Sequence, residues 1–345
     1  MPEGRSQAVD SRNVNSPADA GWFMPAAWWP HTRCWMAWPM HEDWKDLLQP
    51  VRKKVAAVAK AIAEFEPVSL IASPDTAQAA AKMCGSKVEV VSFPIDDCWA
   101  RDTCPTFLVN DNGECAGIVW RFNGWGESYK PYAEDAQLAR RVLGELKLPT
   151  FEALLVVEGG NLCTDGEGTL LTSKTAILDP KRNPGMQWDE AEKLLRDYLG
   201  VKKVIRLPGN EAETVTRGHI DGIACFSWPG TAIAEATEDK EDPEYEALQE
   251  CYEVLRGSTD ARGRPIEVLT LTRPRLPASA ADDEFCSSYV NFYIANRAVI
   301  MPKFGDHQAD EAARNIVAKA FRDRRVVQLD IDDIAAGGGG IHCIT

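Results

Sequence analysis

Positive charge is in short supply in this chain. Its 345 residues carry 38 Lys+Arg against 52 Asp+Glu, a formal net charge of −14. Such a surface repels a phosphate backbone, which argues against nucleic-acid binding, and it draws small cations toward its clefts. Long apolar runs are missing as well. No stretch approaches the ~18 consecutive apolar residues that a membrane-spanning helix needs. The opening MPEGRSQAVDSRNVNSPADAG has no basic segment followed by an apolar core, so it does not read as a secretory signal. A soluble cytoplasmic protein is expected. The ten cysteines, at 34, 84, 98, 104, 115, 163, 225, 251, 286 and 343, include no C-x-x-C pair. A zinc ribbon or dithiol motif is therefore unsupported, and a disulfide framework does not suit a chain of this size without a signal. Nine read as reduced, buried thiols that behave as small hydrophobes. Cys343 stands apart, behind the four glycines Gly337 to Gly340.

What is present is ordinary globular composition, 45% hydrophobic and 26% charged. Residues 1–20 read as a disordered tail and 21–345 as a single domain. A β-hairpin signature recurs along that domain: an apolar run, a short turn rich in Gly, Asn, Asp or Pro, and a second apolar run. It occurs at 106–120, 161–173, 222–236 and 289–303, with turn centres near 112, 167, 229 and 296. The spacings are 55, 62 and 67 residues. Helical patterns followed by a further strand lie between, as at 47–65 before VSLIA and 189–200 before KVIRLP. Units of roughly 60 residues fill the chain five times. No fifth hairpin appears in linear order, so GIHCIT at the C-terminus is expected to pair with RCWMAWP (33–39) and close a ring of β-rich units. The alternative is an open α/β sheet.

Polar residues gather where strands run out. One exit leads to Asp97, Trp99, Arg101 and Asp102, and a second to Glu158. A third leads to His219 and Asp221, and the last to His342 and Cys343. The intervals 102→158, 158→219 and 219→343 are 56, 61 and 124 residues, or one, one and two repeat lengths. In a ring these exits would meet at one mouth. Taken singly, Asp102 reads as a solvated charge or helix cap and Glu158 as a strand end. His219 with Asp221 occurs as a metal pair, yet no second ligand cluster accompanies it among five histidines. The glycine run lacks the Lys-Ser/Thr and the helix of a phosphate cradle. Together, a thiol, an imidazole and carboxylates suit covalent chemistry on a cation. A guanidinium is planar and weakly electrophilic; carboxylates would take its N–H donors and fix its carbon for thiolate attack. The imidazole would protonate departing ammonia and then activate water, with no metal or organic cofactor required.

The ordered motifs PAAWWPH, WMAWP, DDCWARDTCPTF, FNGWGE, VEGGNLCTDGEGTLLT, GHIDGIACF, SYVNFYIANRAVIMPKFGD and GGGGIHCIT make the chain resemble the agmatine deiminase family of the guanidine-modifying (pentein) superfamily. The resemblance implies a fivefold pseudo-symmetric α/β propeller. It implies Cys343 as nucleophile, His219 as general acid/base, Asp102 and Asp221 gripping the guanidinium, and Glu158 positioning substrate and histidine. Trp99 would be an aromatic wall and Asp97 a supporting carboxylate. The implied reaction takes agmatine to N-carbamoylputrescine and ammonia, in polyamine synthesis from arginine, within a homo-oligomer (dimer or higher). Departures from the family's common pattern fall at Cys163 (His), Arg217 (Asn), Gly340 (Asn) and Glu127 (Gly). A guanidino acid or free arginine is the alternative substrate, with Arg217 the cation for its carboxylate. A non-catalytic guanidine- or polyamine-binding protein, or a metal hydrolase using His219, Asp221 and Glu158, are the readings from other classes.

Overall fold

The computed structural model describes residues 16–275 and 285–345. Among the described residues fifteen strands form five three-stranded sheets, each consecutive in sequence. The first holds β1 (Cys34–Ala37), β2 (Val68–Ala72) and β3 (Val88–Ser92). The second holds β4 (Thr106–Val109), β5 (Cys115–Arg121) and β6 (Thr150–Val156), and the third β7 (Cys163–Thr164), β8 (Thr169–Ser173) and β9 (Lys203–Leu207). The fourth holds β10 (Ala224–Trp228), β11 (Thr231–Ala236) and β12 (Glu267–Thr272), and the fifth β13 (Tyr293–Ala295), β14 (Ala298–Lys303) and β15 (Arg325–Asp330). In the last four, the first two strands pair antiparallel as a hairpin. A helix then returns the chain so that the third strand lies parallel to the second. All four hairpins expected from the turn spacing are present.

The reason for this arrangement is visible in the side chains. Two of the five middle strands, VSLIA and TLLTS, are buried at every position, as strands covered on both faces must be. The return helices are amphipathic. In Leu48–Ile62, Val51, Val55, Val58, Ala59 and Ile62 recur at helical spacing and are buried, while Lys53, Lys54 and Lys60 lie off that stripe. Each such buried aliphatic side chain contributes roughly 1.5–3 kcal/mol. No helix among the described residues is long and apolar enough to cross a membrane.

Two expectations need correction. The first sheet is not completed by the C-terminus: β1 pairs parallel with β2, and residues 341–345 form a turn rather than a strand. Their polar groups are spent otherwise. His342 N–H donates to the Asn291 main-chain and side-chain oxygens, Thr345 N–H to His342 O, and Cys343 O accepts from Arg101 N–H. The segment is held as a bent support for Cys343. The disordered tail expected over 1–20 lies outside the described residues over 1–15, but residues 16–20 form a hydrogen-bonded turn whose Ala18 N–H donates to Asp197 O.

Candidate active site

The chain leaving each third strand carries one or more of the clustered side chains. Beyond β3 come Trp99 and Asp102, beyond β6 Glu158, and beyond β9 His219 and Asp221. Beyond β12 comes Asn291, and beyond β15 Cys343. Glycine makes the meeting possible. A carbon added to Gly160 would lie 2.8 Å from Asp102 Oδ1, 2.8 Å from His219 Nδ1 and 3.0 Å from Asp221 Oδ2. Three functional groups thus converge on one point left free of side chain. Gly337 and Gly339 lie flat against the rings of Trp44 and Trp99, where any Cβ would collide. The two indoles pack 5.8 Å apart at 30°.

His219 is fully enclosed between carboxylates. Its Nε2 is 3.3 Å from Glu158 Oε2 and its Nδ1 is 3.7 Å from Asp102 Oδ2. Burial alone would lower its pKa, but Asp102, Glu158 and Asp221 outweigh it and raise the imidazole to about 9. At neutral pH His219 is therefore an imidazolium. Glu158 is also buried, which pushes its pKa up, yet Arg182 and His219 hold it below the usual carboxylate value. Arg182 Nε donates to both Glu158 oxygens at 2.8 and 3.1 Å, and its Nη1 reaches Asp179 Oδ2 at 3.0 Å.

Asp102 accepts from Trp125 Nε1 (2.8 Å) and from the Gly160 amide (2.8 Å). Burial raises its pKa; His219 opposes this, while Asp221 and Glu158 add to it. Asp221 Oδ2 accepts from His342 Nδ1 at 2.8 Å and lies 3.5 Å from Cys343 Sγ. Burial pushes Asp221 up, but His342, His219 and Arg101 bring it below its ordinary value. His342 is lowered by burial and Arg101, so it is neutral at pH 7. The Cys343 thiol is pushed well above its ordinary value by burial, then by Asp221, Cys286 and Asp102; the Gly340 amide opposes them. At rest Cys343 is a thiol.

Two proposed site residues lie elsewhere. Asp97 accepts from Trp44 Nε1 (2.9 and 3.0 Å) and from the Met40 and His41 amides (3.2 and 3.4 Å). It braces the indole behind Trp99, which fits a support rather than a substrate ligand. Arg217, the suggested reader of a substrate carboxylate, donates from Nη1 to Glu211 O at 2.8 Å and lies 3.6 Å from Asp179 Oδ2 through Nε. That is a single hydrogen bond, and its buried Nε has no hydrogen-bond partner among the described residues.

Arg217 and Glu127 share a backbone peculiarity, with φ of 64° and 63°. In that region Asn and Gly are at ease and longer side chains are strained, which explains why the common pattern has Asn and Gly there. At Cys163 the sulfur accepts from the Phe226 amide at 3.3 Å, and burial pushes the thiol to about 11.

Sequence reasoning overlooked Arg182, Trp125 and Asn291. Arg182 and Trp125 sit in stretches that read as loop. Asn291 sits inside a hairpin run that reads as core. The signal that could have found Asn291 was the two-repeat gap between His219 and Cys343.

A half-buried thiol, a charged imidazole and convergent carboxylates around one open point have the components of a thiol-based hydrolase for a cationic group. The chain belongs to the Porphyromonas-type peptidyl-arginine deiminase family, whose model matches residues 23–345. An agmatine deiminase of Stutzerimonas stutzeri is 38% identical over 357 residues, covering 96% of both chains. One of Medicago truncatula is 37% identical over 367 residues, covering 96% of this chain and 97% of its own. A solved agmatine deiminase of Enterococcus faecalis superposes with a TM-score of 0.92 at 33% identity, covering 96% of both chains.

Proposed function

We propose that this chain hydrolyses agmatine to N-carbamoylputrescine and ammonia through an amidino intermediate on Cys343. The observation carrying this reading is the convergence of Asp102, His219 and Asp221 on the space beside Gly160, with Cys343 Sγ 3.5 Å from the same Asp221 oxygen. The relatives named agmatine deiminase along nearly the whole chain support the choice of substrate.

Asp102 and Asp221 take the N–H donors of the guanidinium and hold its carbon against the sulfur. The bound cation offsets the carboxylates that keep Cys343 protonated, so the thiol gives up its proton to solvent as substrate arrives. The S–C bond forms, and His219, already charged, gives its proton to the departing nitrogen. The C–N bond breaks and ammonia leaves, with a thiouronium on Cys343. The neutral imidazole then takes a proton from attacking water, the C–S bond breaks, and the thiolate leaves the ureido product. Glu158, anchored by Arg182, holds the imidazole so that Nδ1 faces the opening.

The same reading places the protein in the cytoplasm, in polyamine synthesis from arginine, as a homo-oligomer without metal or cofactor. It also has the five sheets closing as a fivefold pseudo-symmetric propeller, supported by the way all five third strands feed one cluster. The test is ammonia release from agmatine, arginine and 4-guanidinobutyrate, with Cys343→Ala as control. Agmatine turnover that Cys343→Ala abolishes is expected. Turnover of arginine or 4-guanidinobutyrate in its place overturns the substrate, and ammonia from none of them overturns the reading.

A further inference from the structure

Four of the five third strands deliver a residue already given a role above. The chain beyond β12 delivers Asn291, which occupies the repeat position missing between His219 and Cys343. Its side chain is buried and its amide orientation is fixed by its neighbours. Oδ1 accepts from His342 N–H at 2.9 Å and from Cys343 N–H at 3.3 Å, so that end must be the oxygen. The opposite end must then be the amino group; it donates to Asp221 O at 3.2 Å and faces Cys343 Sγ at 3.2 Å. A flipped amide would set oxygen against the Asp221 carbonyl and amino hydrogens against two N–H groups.

The arm that carries Asn291 is itself pinned. Ser288 Oγ bonds Glu235 Oε2 (2.9 Å) and the Gly222 carbonyl (3.1 Å), and the Val290 amide donates to the same Glu235 oxygen at 3.1 Å. Glu235 is buried on β11, and the Asn291 amide is bonded at both its ends, so it is presented to the sulfur in one orientation. In surroundings that otherwise oppose negative charge on Cys343, this N–H is the one side-chain donor aimed at the sulfur among the described residues.

We propose that Asn291 is a catalytic residue, its amide N–H stabilising the Cys343 thiolate during attack and again when the sulfur leaves. A donor directed at an ion strengthens as charge develops, so its contribution falls in the steps where sulfur carries that charge. The proposal rests on the deiminase reading for its place in turnover, but not for its effect on the thiol.

The experiment is the pH dependence of Cys343 alkylation by iodoacetamide in the whole protein, wild type against Asn291→Ala, alongside agmatine kinetics. The thiol titration should move upward by about one unit, so that alkylation below it slows about tenfold, which is the worth of one donor to an ion. The kcat should fall at least tenfold with KM changed less than threefold. Loss of bracing alone would alter the limiting rate at high pH and leave the titration in place. An unmoved titration therefore overturns the proposal, whatever happens to kcat. If Asn291→Ala does not fold, Asn291→Asp keeps the shape and the Oδ1 acceptor, and its titration must rise at least as far. Should wild type fail to turn over agmatine, the deiminase reading falls while the titration still decides on Asn291.

Discussion

Replacing Asp221 with asparagine should make Cys343 more reactive and the protein less active. In the resting site Cys343 Sγ lies 3.5 Å from Asp221 Oδ2, and Asp221 is held ionised by His342, His219 and Arg101 despite its burial. Two unit charges at that separation, in an effective dielectric of about 20, repel by about 5 kcal/mol, or about 3.5 pKa units. His342 draws part of the carboxylate's charge through its 2.8 Å bond, and the asparagine retains a dipole, so a fall of one to two units is the working expectation. Free Asp221→Asn should then be alkylated by iodoacetamide at pH 7 about 10- to 100-fold faster than wild type. Agmatine turnover should drop, with higher KM and lower kcat, because a charge gripping ground state and transition state alike is gone. Alkylation no faster than wild type would show that Asp221 does not suppress the thiolate, and ionisation driven by substrate charge would lose its basis.

With His219 raised to about 9, kcat for agmatine should hold through neutrality and fall as pH rises past about 9, where the acid for ammonia departure is lost. Because the folded pKa lies above the unfolded value of 6.5, this group's stabilisation, about 3 kcal/mol, is fully present below pH 6.5 and lost as pH rises through about 9. Urea melts at pH 7 and 9.5 should show that loss in wild type and not in His219→Gln. Arg182→Met removes the cation shared by two buried carboxylates, leaving Glu158 to His219 and Asp179 to the more distant Arg217, and should cost about 3 kcal/mol, read as an earlier urea midpoint. Gly160→Ala places a methyl within 3.0 Å of Asp102, His219 and Asp221 and should abolish agmatine turnover, with calorimetry showing no binding. Glu127→Gly relieves a residue at φ 63° whose ion pair among the described residues is with exposed Lys130, and should raise stability by about 1 kcal/mol in the same melts.

The architecture was legible because its signals are local. Each turn of Gly, Asn, Asp or Pro between two apolar runs marks a hairpin without reference to the rest of the chain, and four of them recurring gave the count of units. The first sheet escaped because it has no hairpin: β1 and β2 are joined by the long helix Leu48–Ile62 and run parallel. A missing antiparallel partner was then sought at the other end of the chain. GIHCIT is apolar enough to pass for an edge strand, but nothing in its composition reveals that its amides are taken by Asn291 and its carbonyl by Arg101. Asn291 was hidden for a related reason, since one polar residue in YVNFYI reads as the turn-facing side of a strand.

The division of labour among the acids is what a linear reading cannot reach. Asp102, Glu158 and Asp221 are equivalent on paper, each lying past the end of a strand. In the fold, Glu158 is already matched by an internal cation, because Arg182, 24 residues further on, donates to both of its oxygens. Asp102 has only neutral hydrogen-bond donors, the Trp125 indole and the Gly160 amide, with the charged His219 ring at 3.7 Å. Asp221 is bonded by His342, which burial and Arg101 keep neutral. A neutral donor fixes the geometry of a carboxylate without cancelling its charge. The charge of Asp102 and Asp221 is therefore left available to an incoming cation, while that of Glu158 is spent on orienting His219. A site built for a guanidinium needs this asymmetry, since three fully paired carboxylates would bind no cation and three unpaired ones could not remain ionised in the interior.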